Sequence, residues 1–182
     1  MIRKAEEKDI DGILDVLAQY DFRVLNTEDG AVLDPEVGEL LTLYNEVSAL
    51  DLAHGFVVEE NQRIVGFAHY KIIDKKTAKT TLMTVLPECR GKGWGKELQV
   101  ARMREAFERG SETLLTYCEL PKSIAWYRGH FGYVVLRQEA THHRLHYIPL
   151  VNRVIWGVHY GFKEKELSVM ECDLAAYFEQ KG

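Results

Sequence analysis

Three glycines and three cations crowd the segment Val85-Leu-Pro-Glu-Cys-Arg-Gly-Lys-Gly-Trp-Gly-Lys96. Gly91, Gly93 and Gly95 stand where an apolar, strand-like run gives way to an amphipathic helix. A glycine-rich turn at that junction exposes backbone N–H groups at the positive end of the helix dipole, which together attract an anion. Arg90, Lys92 and Lys96 add side-chain charge. The chemistry is therefore binding of a phosphate-bearing molecule, with a pyrophosphate as the expected group; a tight turn without a ligand is the competing reading of the glycines alone. A P-loop requires G-x-x-x-x-G-K-[ST], which does not occur here. A dinucleotide fingerprint requires G-x-G-x-x-G, and the third glycine is misplaced for it.

The spacing that fits is [Q/R]-x-x-G-x-[G/A], with Arg90 at its head and Val85-Leu86-Pro87 before it. About thirty residues on comes Ser123-Ile-Ala-Trp-Tyr127-Arg-Gly-His-Phe-Gly132-Tyr133, which resembles A-x-x-x-Y-x-x-x-G-[F/Y]. In this order and separation the two segments resemble the acetyl-CoA signature of the GNAT acetyltransferase superfamily, over roughly residues 1–140.

That resemblance implies direct acetyl transfer from acetyl-CoA to an amine through a tetrahedral intermediate, without a metal. The amides of Gly91, Lys92, Gly93, Trp94, Gly95 and Lys96 would cradle the pyrophosphate, with Arg90 heading the loop. Backbone donors at Met83, Thr84 and Val85 would polarise the thioester carbonyl, Val85 foremost. Tyr127 matches the tyrosine that protonates the departing thiolate. An amine attacks only when neutral, so a base or a carboxylate that holds the ammonium is also needed. Glu119, at the end of a strand beside the substrate slot, is the first candidate and His69 a weaker one. The family's asparagine seven residues before the tyrosine is Leu120 here, which removes one expected contact to the pantetheine arm.

The elements that must position these groups follow from pattern. Met1 to Ala5 reads as a strand, and Asp9 or Asp11 caps a helix with Ile10, Ile13, Leu14 and Leu17 on one face. Residues 21–37 hold no clear period, and Gly38 to Leu50 reads as a second helix. Gly55 to Tyr70 reads as two strands about an Asn61-Gln62 turn, with a third at Thr80 to Leu86. Trp94 to Arg109 is the longest helix, with Leu98, Ala101, Met103, Ala106 and Phe107 on its apolar side and Gly110 as its stop. Thr113 to Glu119 is a strand, Ser123 to His130 a helix, and Tyr133 begins another strand. The expected class is α/β, an α+β mixed sheet flanked by helices. In the GNAT fold two parallel strands splay apart to admit the pantetheine arm; here these would be about 80–86 and 113–119.

The chain, 182 residues long with net charge −5, reads as one GNAT acetyltransferase domain with a C-terminal extension from about 145 of unassigned role. The acidic balance and the absence of a basic stripe argue against a nucleic-acid partner, and no apolar run would span a membrane. Cys89, Cys118 and Cys172 lack CxxC pairing, which suits a reducing cytoplasm. His142, His143 and His146 alternate across a strand, which is poor geometry for one metal. The aromatic stretch Tyr147 to Phe162 suits a place under the sheet, an acceptor-pocket wall or a homodimer contact, and Leu167 to Leu174 reads as a last strand before a short helix. The expected acceptor is a primary amine of a small molecule. A peptide amine, a longer acyl donor and a non-catalytic acyl-CoA sensor are the alternatives.

Overall fold

The computed structural model describes residues 1–18, 22–28, 46–140, 144–149, 153–159 and 166–181. Its elements are β1 (Ile2–Lys4), α1 (Ile10–Leu17), β2 (Phe22–Glu28), β3 (Glu46–Ala49), β4 (Gly55–Glu60), β5 (Arg63–Ile72), β6 (Thr77–Val85) and α2 (Trp94–Glu108). Then follow β7 (Thr113–Cys118), α3 (Pro121–Phe131), β8 (Val134–Ala140), β9 (Arg144–Pro149), β10 (Arg153–His159), β11 (Glu166–Asp173) and α4 (Leu174–Glu179).

A seven-stranded sheet runs β1-β4-β5-β6-β7-β11-β8. Its strands pair antiparallel except β6 and β7, which are parallel. Asn61 and Gln62 both take positive φ (51° and 63°), the twist a two-residue hairpin between β4 and β5 requires. β11 lies between β7 and β8, so the last strand of the chain is interior to the sheet. A second sheet has the order β2-β10-β9-β3.

Helix α1 buries Ile10, Ile13, Val16 and Leu17. A Cβ on its Gly12 would lie 2.8 Å from Ile64, so only glycine lets the helix sit this close to β5. Asp9 does not cap α1 through its side chain; the carboxylate instead receives the Arg3 guanidinium at 2.6 and 2.8 Å and the Glu6 amide at 2.9 Å. Helix α2 buries Leu98, Gln99, Arg102, Met103 and Ala106. The predicted apolar residue Phe107 is instead 40% exposed and meets the Phe178 ring at 5.5 Å. Gly110 stops α2 with φ 94°, as expected of a left-handed terminus.

The helix expected over Gly38 to Leu50 is corrected where the chain is described. Glu46–Ala49 is a strand, paired in parallel with β9. Phe22–Glu28, read as lacking a period, is a strand paired with β10. Both belong to the second sheet, where β3 and β2 pair with strands roughly 100 and 130 residues downstream. The turn signals at Asp29-Gly30 and Asp34-Pro35 lie outside the described residues, as do His142, His143 and the side chain of His146.

Candidate active site

The site begins where β6 and β7 part. They are in register only at Thr77↔Thr113, Ala78↔Leu114 and Lys79↔Leu115. Just beyond, the Thr80 hydroxyl donates to the Thr116 hydroxyl at 2.6 Å, both residues being buried. At the same level the β5–β6 ladder skips a residue. His69 faces Leu82 and Tyr70 faces Thr80, so Thr81 is the extra residue of a bulge. A bulge bends its strand and sharpens the local twist, which turns β6 away from β7.

The gap is a cavity of about 590 Å³ with Thr81, Leu82 and Met83 on one wall and Thr116, Tyr117 and Cys118 on the other. Glu119 and Tyr127 both line it. Tyr127 is carried by α3, which Pro121 opens at its first residue and Gly132 closes in the left-handed conformation (φ 69°). Its ring packs edge-on against Trp126 and Tyr133, with centroids 5.0 Å away in each case.

Arg102 was not singled out by sequence, where it is one of several charges along a helix. It is 1% exposed and reaches the same cavity. Its Nη2 donates to the Tyr127 hydroxyl at 2.8 Å and its Nε to Gln99 Oε1 at 2.6 Å. Its Nη1 donates to the carbonyls of Leu82 (3.1 Å) and His69 (3.4 Å), where the bulge interrupts the ladder. All four acceptors are neutral. Gln99 in turn donates to the Tyr133 hydroxyl at 3.0 Å. Burial raises the Tyr133 phenol well above its ordinary range, so it stays protonated. Because Tyr127 accepts from Arg102, its own O–H is free to point into the cavity.

A second cavity of about 420 Å³ adjoins the first, and Met83 and Trp126 line both. Around it lie Thr84, Val85, Arg90, Gly91, Gly93, Trp94, Gly95 and Lys96. Gly91 and Gly93 have φ of 79° and 90°, which a residue with a Cβ adopts only under strain. Gly93 is the N-cap of α2 and its carbonyl accepts from the amides of Lys96 and Glu97. The buried Trp94 Nε1 has no hydrogen-bond partner in this wall, so a polar ligand would supply one. Arg90 folds back so that its Nε donates to the Val85 carbonyl at 3.0 Å. Lys92 is the one predicted loop residue absent from the wall; its Nζ turns outward to Glu60 at 2.8 and 2.9 Å.

Cys89 also lines this cavity but is buried; burial and a hydrogen bond with Glu60 push its thiol up, away from the reactive thiolate. His69 is fully buried on β5, with Nδ1 2.6 Å from Thr81 Oγ1. Its environment is set by residues far apart in sequence and had no local signal.

A strand, a glycine-rich turn and a helix N-terminus thus meet a tyrosine at the mouth of two splayed parallel strands. The Acetyltransferase (GNAT) family matches residues 21–133, well over half of the chain. The chain belongs to the GNAT acetyltransferase family. This GNAT protein is an acyltransferase, and the family's acyl donor is acetyl-CoA. No curated protein sequence matches it. Among solved structures it is similar to yncA from Salmonella typhimurium with its cofactor acetyl-CoA, at 19% identity and TM-score 0.60, over 96% of this chain and 93% of that one. An N-acetyltransferase from Staphylococcus aureus Mu50 is 21% identical with TM-score 0.59, over 96% and 98% of the two chains. The ribosomal-protein-S18-alanine N-acetyltransferase from Escherichia coli is 15% identical with TM-score 0.57, over 96% and 93%. Likeness at these identities establishes the fold. Among the described residues no helix is long and apolar enough to cross a membrane.

Proposed function

We propose that this GNAT enzyme transfers the acetyl group of acetyl-CoA to the primary amine of a small molecule. The observation that carries the reading is the Tyr127 hydroxyl. It is held by a buried guanidinium and lines a cavity that adjoins the glycine-loop cavity. The loop amides from Gly91 to Lys96 would take the pyrophosphate, and Trp94 Nε1 would gain an acceptor. The pantetheine arm would run past Met83 and Trp126 toward the splay. Backbone donors at Met83 and Val85, whose amides turn away from β5 while that of Thr84 turns toward it, would face the thioester oxygen, where one such donor is worth about 3–4 kcal/mol of barrier. The neutral amine attacks the thioester carbon, the tetrahedral intermediate collapses, and the thiolate takes its proton from Tyr127. The charge of Arg102 beside the phenol oxygen stabilises negative charge as that proton leaves. Glu119 would hold the acceptor as an ammonium before it deprotonates.

A cavity of about 590 Å³ suits a small ligand, which favours a free amine over a protein surface. The test is acetyl-CoA consumption, followed by thiol release, against amino acids, polyamines, amino sugars and short peptides. Turnover with one small-amine class is expected. Turnover with peptides alone would move the acceptor to the protein class. Acetyl-CoA binding with no turnover on any amine would favour the sensor.

A further inference from the structure

An amine that attacks a thioester must also lose a proton, and the geometry points to a route for it. His69 is 0% exposed in the middle of β5. Its Nδ1 lies 2.6 Å from Thr81 Oγ1, and Thr81 is the bulged residue on the wall of the acceptor cavity. Its Nε2 has no hydrogen-bond partner and faces Asp51 Oδ2 at 3.7 Å. Asp51 is 37% exposed, so the carboxylate touches solvent. It also accepts from the His54 amide at 2.8 Å and lies 2.7 and 2.9 Å from His54 Nδ1. A hydroxyl, a buried imidazole and a carboxylate therefore stand in line from the cavity wall to the protein surface. A buried, partnerless ring nitrogen is costly to keep unless it has a task.

We propose that Thr81, His69 and Asp51 carry the proton of the attacking amine out of the cavity. The proposal rests on the reading that the acceptor is an amine. As the N–C bond forms, the nitrogen gives its proton to Thr81 Oγ while the Thr81 proton passes to His69 Nδ1. Asp51 holds the resulting imidazolium, which hands a proton to solvent past the half-exposed carboxylate. The electron pair freed from the C–S bond stays on the thiolate, which Tyr127 protonates. Thr81 meets the substrate; His69 and Asp51 act through it as positioning residues.

The charges around His69 fit this duty. Burial lowers the imidazole and Asp51 opposes that shift, so the ring is neutral and able to accept at neutral pH. His54, from the turn beside Asp51, and Arg102, from α2, disfavour a standing positive charge on it. The Phe67 ring stacks on it, with centroids 6.5 Å apart. Burial would raise Asp51, but His69 and His54 outweigh it and keep the carboxylate ionised. Glu105 and Arg109 complete the charged surroundings, next to Tyr70.

The experiment is the pH–rate profile of acetyl transfer for the intact protein and the variants His69→Gln, Asp51→Asn, Thr81→Val and Thr81→Ser. Loss of a relay step costs about 10²-fold in kcat. His69→Gln and Thr81→Val are expected to lose about that factor at pH 7, with KM for acetyl-CoA unchanged. The loss relative to the parent should persist toward the pKa of the free amine, since the relay takes the proton released as the N–C bond forms, after the amine has become neutral. Thr81→Ser restores the hydroxyl and should restore the rate. Should His69→Gln fail to fold, the near-isosteric Thr81→Val still decides. A Thr81→Val enzyme with the parent's rate and acid limb overturns the relay. A parent enzyme that acetylates no amine overturns the underlying reading instead. One ligand atom each from Asp51, His54 and His69 lies within 4.8 Å of the other two, a spacing a cation could also use. Activity lost on dialysis against a chelator and regained with zinc would overturn the relay too; unchanged activity is expected.

Discussion

Tyr127→Phe removes one oxygen, and its two consequences can be worked out separately. The first is chemical. Loss of a positioned proton donor costs about 10²–10⁴ in rate, or about 3–5 kcal/mol of barrier. The second is structural. Arg102 loses one of its four acceptors, and a hydrogen bond to a charged group is worth about 1.5–3 kcal/mol. For a chain of this size that lowers Tm by roughly 2–4 °C per kcal/mol. Tyr133→Phe separates the two. Its hydroxyl ends the same Arg102–Gln99 chain and accepts at 3.0 Å, but it does not line the cavity. Thiol release with saturating amine would give kcat, and a thermal melt would give Tm. We expect Tyr127→Phe to lose at least about 100-fold in kcat at unchanged KM for acetyl-CoA. Tyr133→Phe should destabilise by about 1 kcal/mol and stay within about twofold of the parent rate. If the two variants lost activity equally, Tyr127 would be a packing residue and its role as proton donor would be refuted.

Two further comparisons test the loop and the fold. Gly93→Ala meets no atom within 4 Å, so its cost is the left-handed backbone alone, about 1–2 kcal/mol; KM for acetyl-CoA should rise roughly 5–30-fold. Lys92→Met, whose side chain leaves Glu60 and not the cavity wall, should leave that KM within about twofold. Steady-state titration of acetyl-CoA checks both, and equal effects would contradict the placement of Lys92. Asp9 is held below the usual carboxylate range, first by its hydrogen bonds to Arg3. A depressed folded pKa adds stability that is present above the unfolded value near 3.8 and is lost as pH falls through the folded one. Asp9→Asn should therefore cost about 2 kcal/mol at pH 7. The gap from the parent should narrow in melts as pH falls below about 3.8 toward the folded pKa.

Local features were legible in the sequence. The glycine turn, α2, the Asn61-Gln62 hairpin and the tyrosine helix each carry their signal within a few residues, through φ preference, capping and apolar spacing. What escaped was set at long range. Leu40, Leu41, Leu43, Tyr44 and Val47 recur at a helical spacing, yet Glu46–Ala49 pairs with β9. Strand pairing across about a hundred residues leaves no trace in a local period. Arg102 escaped because an arginine on a helix is ordinarily solvated. It is buried here because the bulge frees carbonyls on both β5 and β6 for a donor to meet. The likeness to a known family led to Tyr127 but could not reveal what holds it.

The bulge at Thr81 links the parts of the site. One extra residue in β6 ends the match with β5 between His69 and Tyr70, and at this level the pairing with β7 also stops. The splay that results opens the cavity, and it strips backbone groups of their partners. Arg102 meets the Leu82 and His69 carbonyls and uses its remaining Nη2 on Tyr127. The residue extruded by the bulge is the one whose hydroxyl touches His69. Cavity, proton donor and proton outlet are thus tied to one irregularity in a strand. A single-residue deletion at Thr81 would restore a regular ladder in the existing register, with Leu82 still opposite His69, and would remove the bend of β6 together with the hydroxyl. Such a deletion should abolish transfer even where the sheet still folds, a loss larger than that of Thr81→Val.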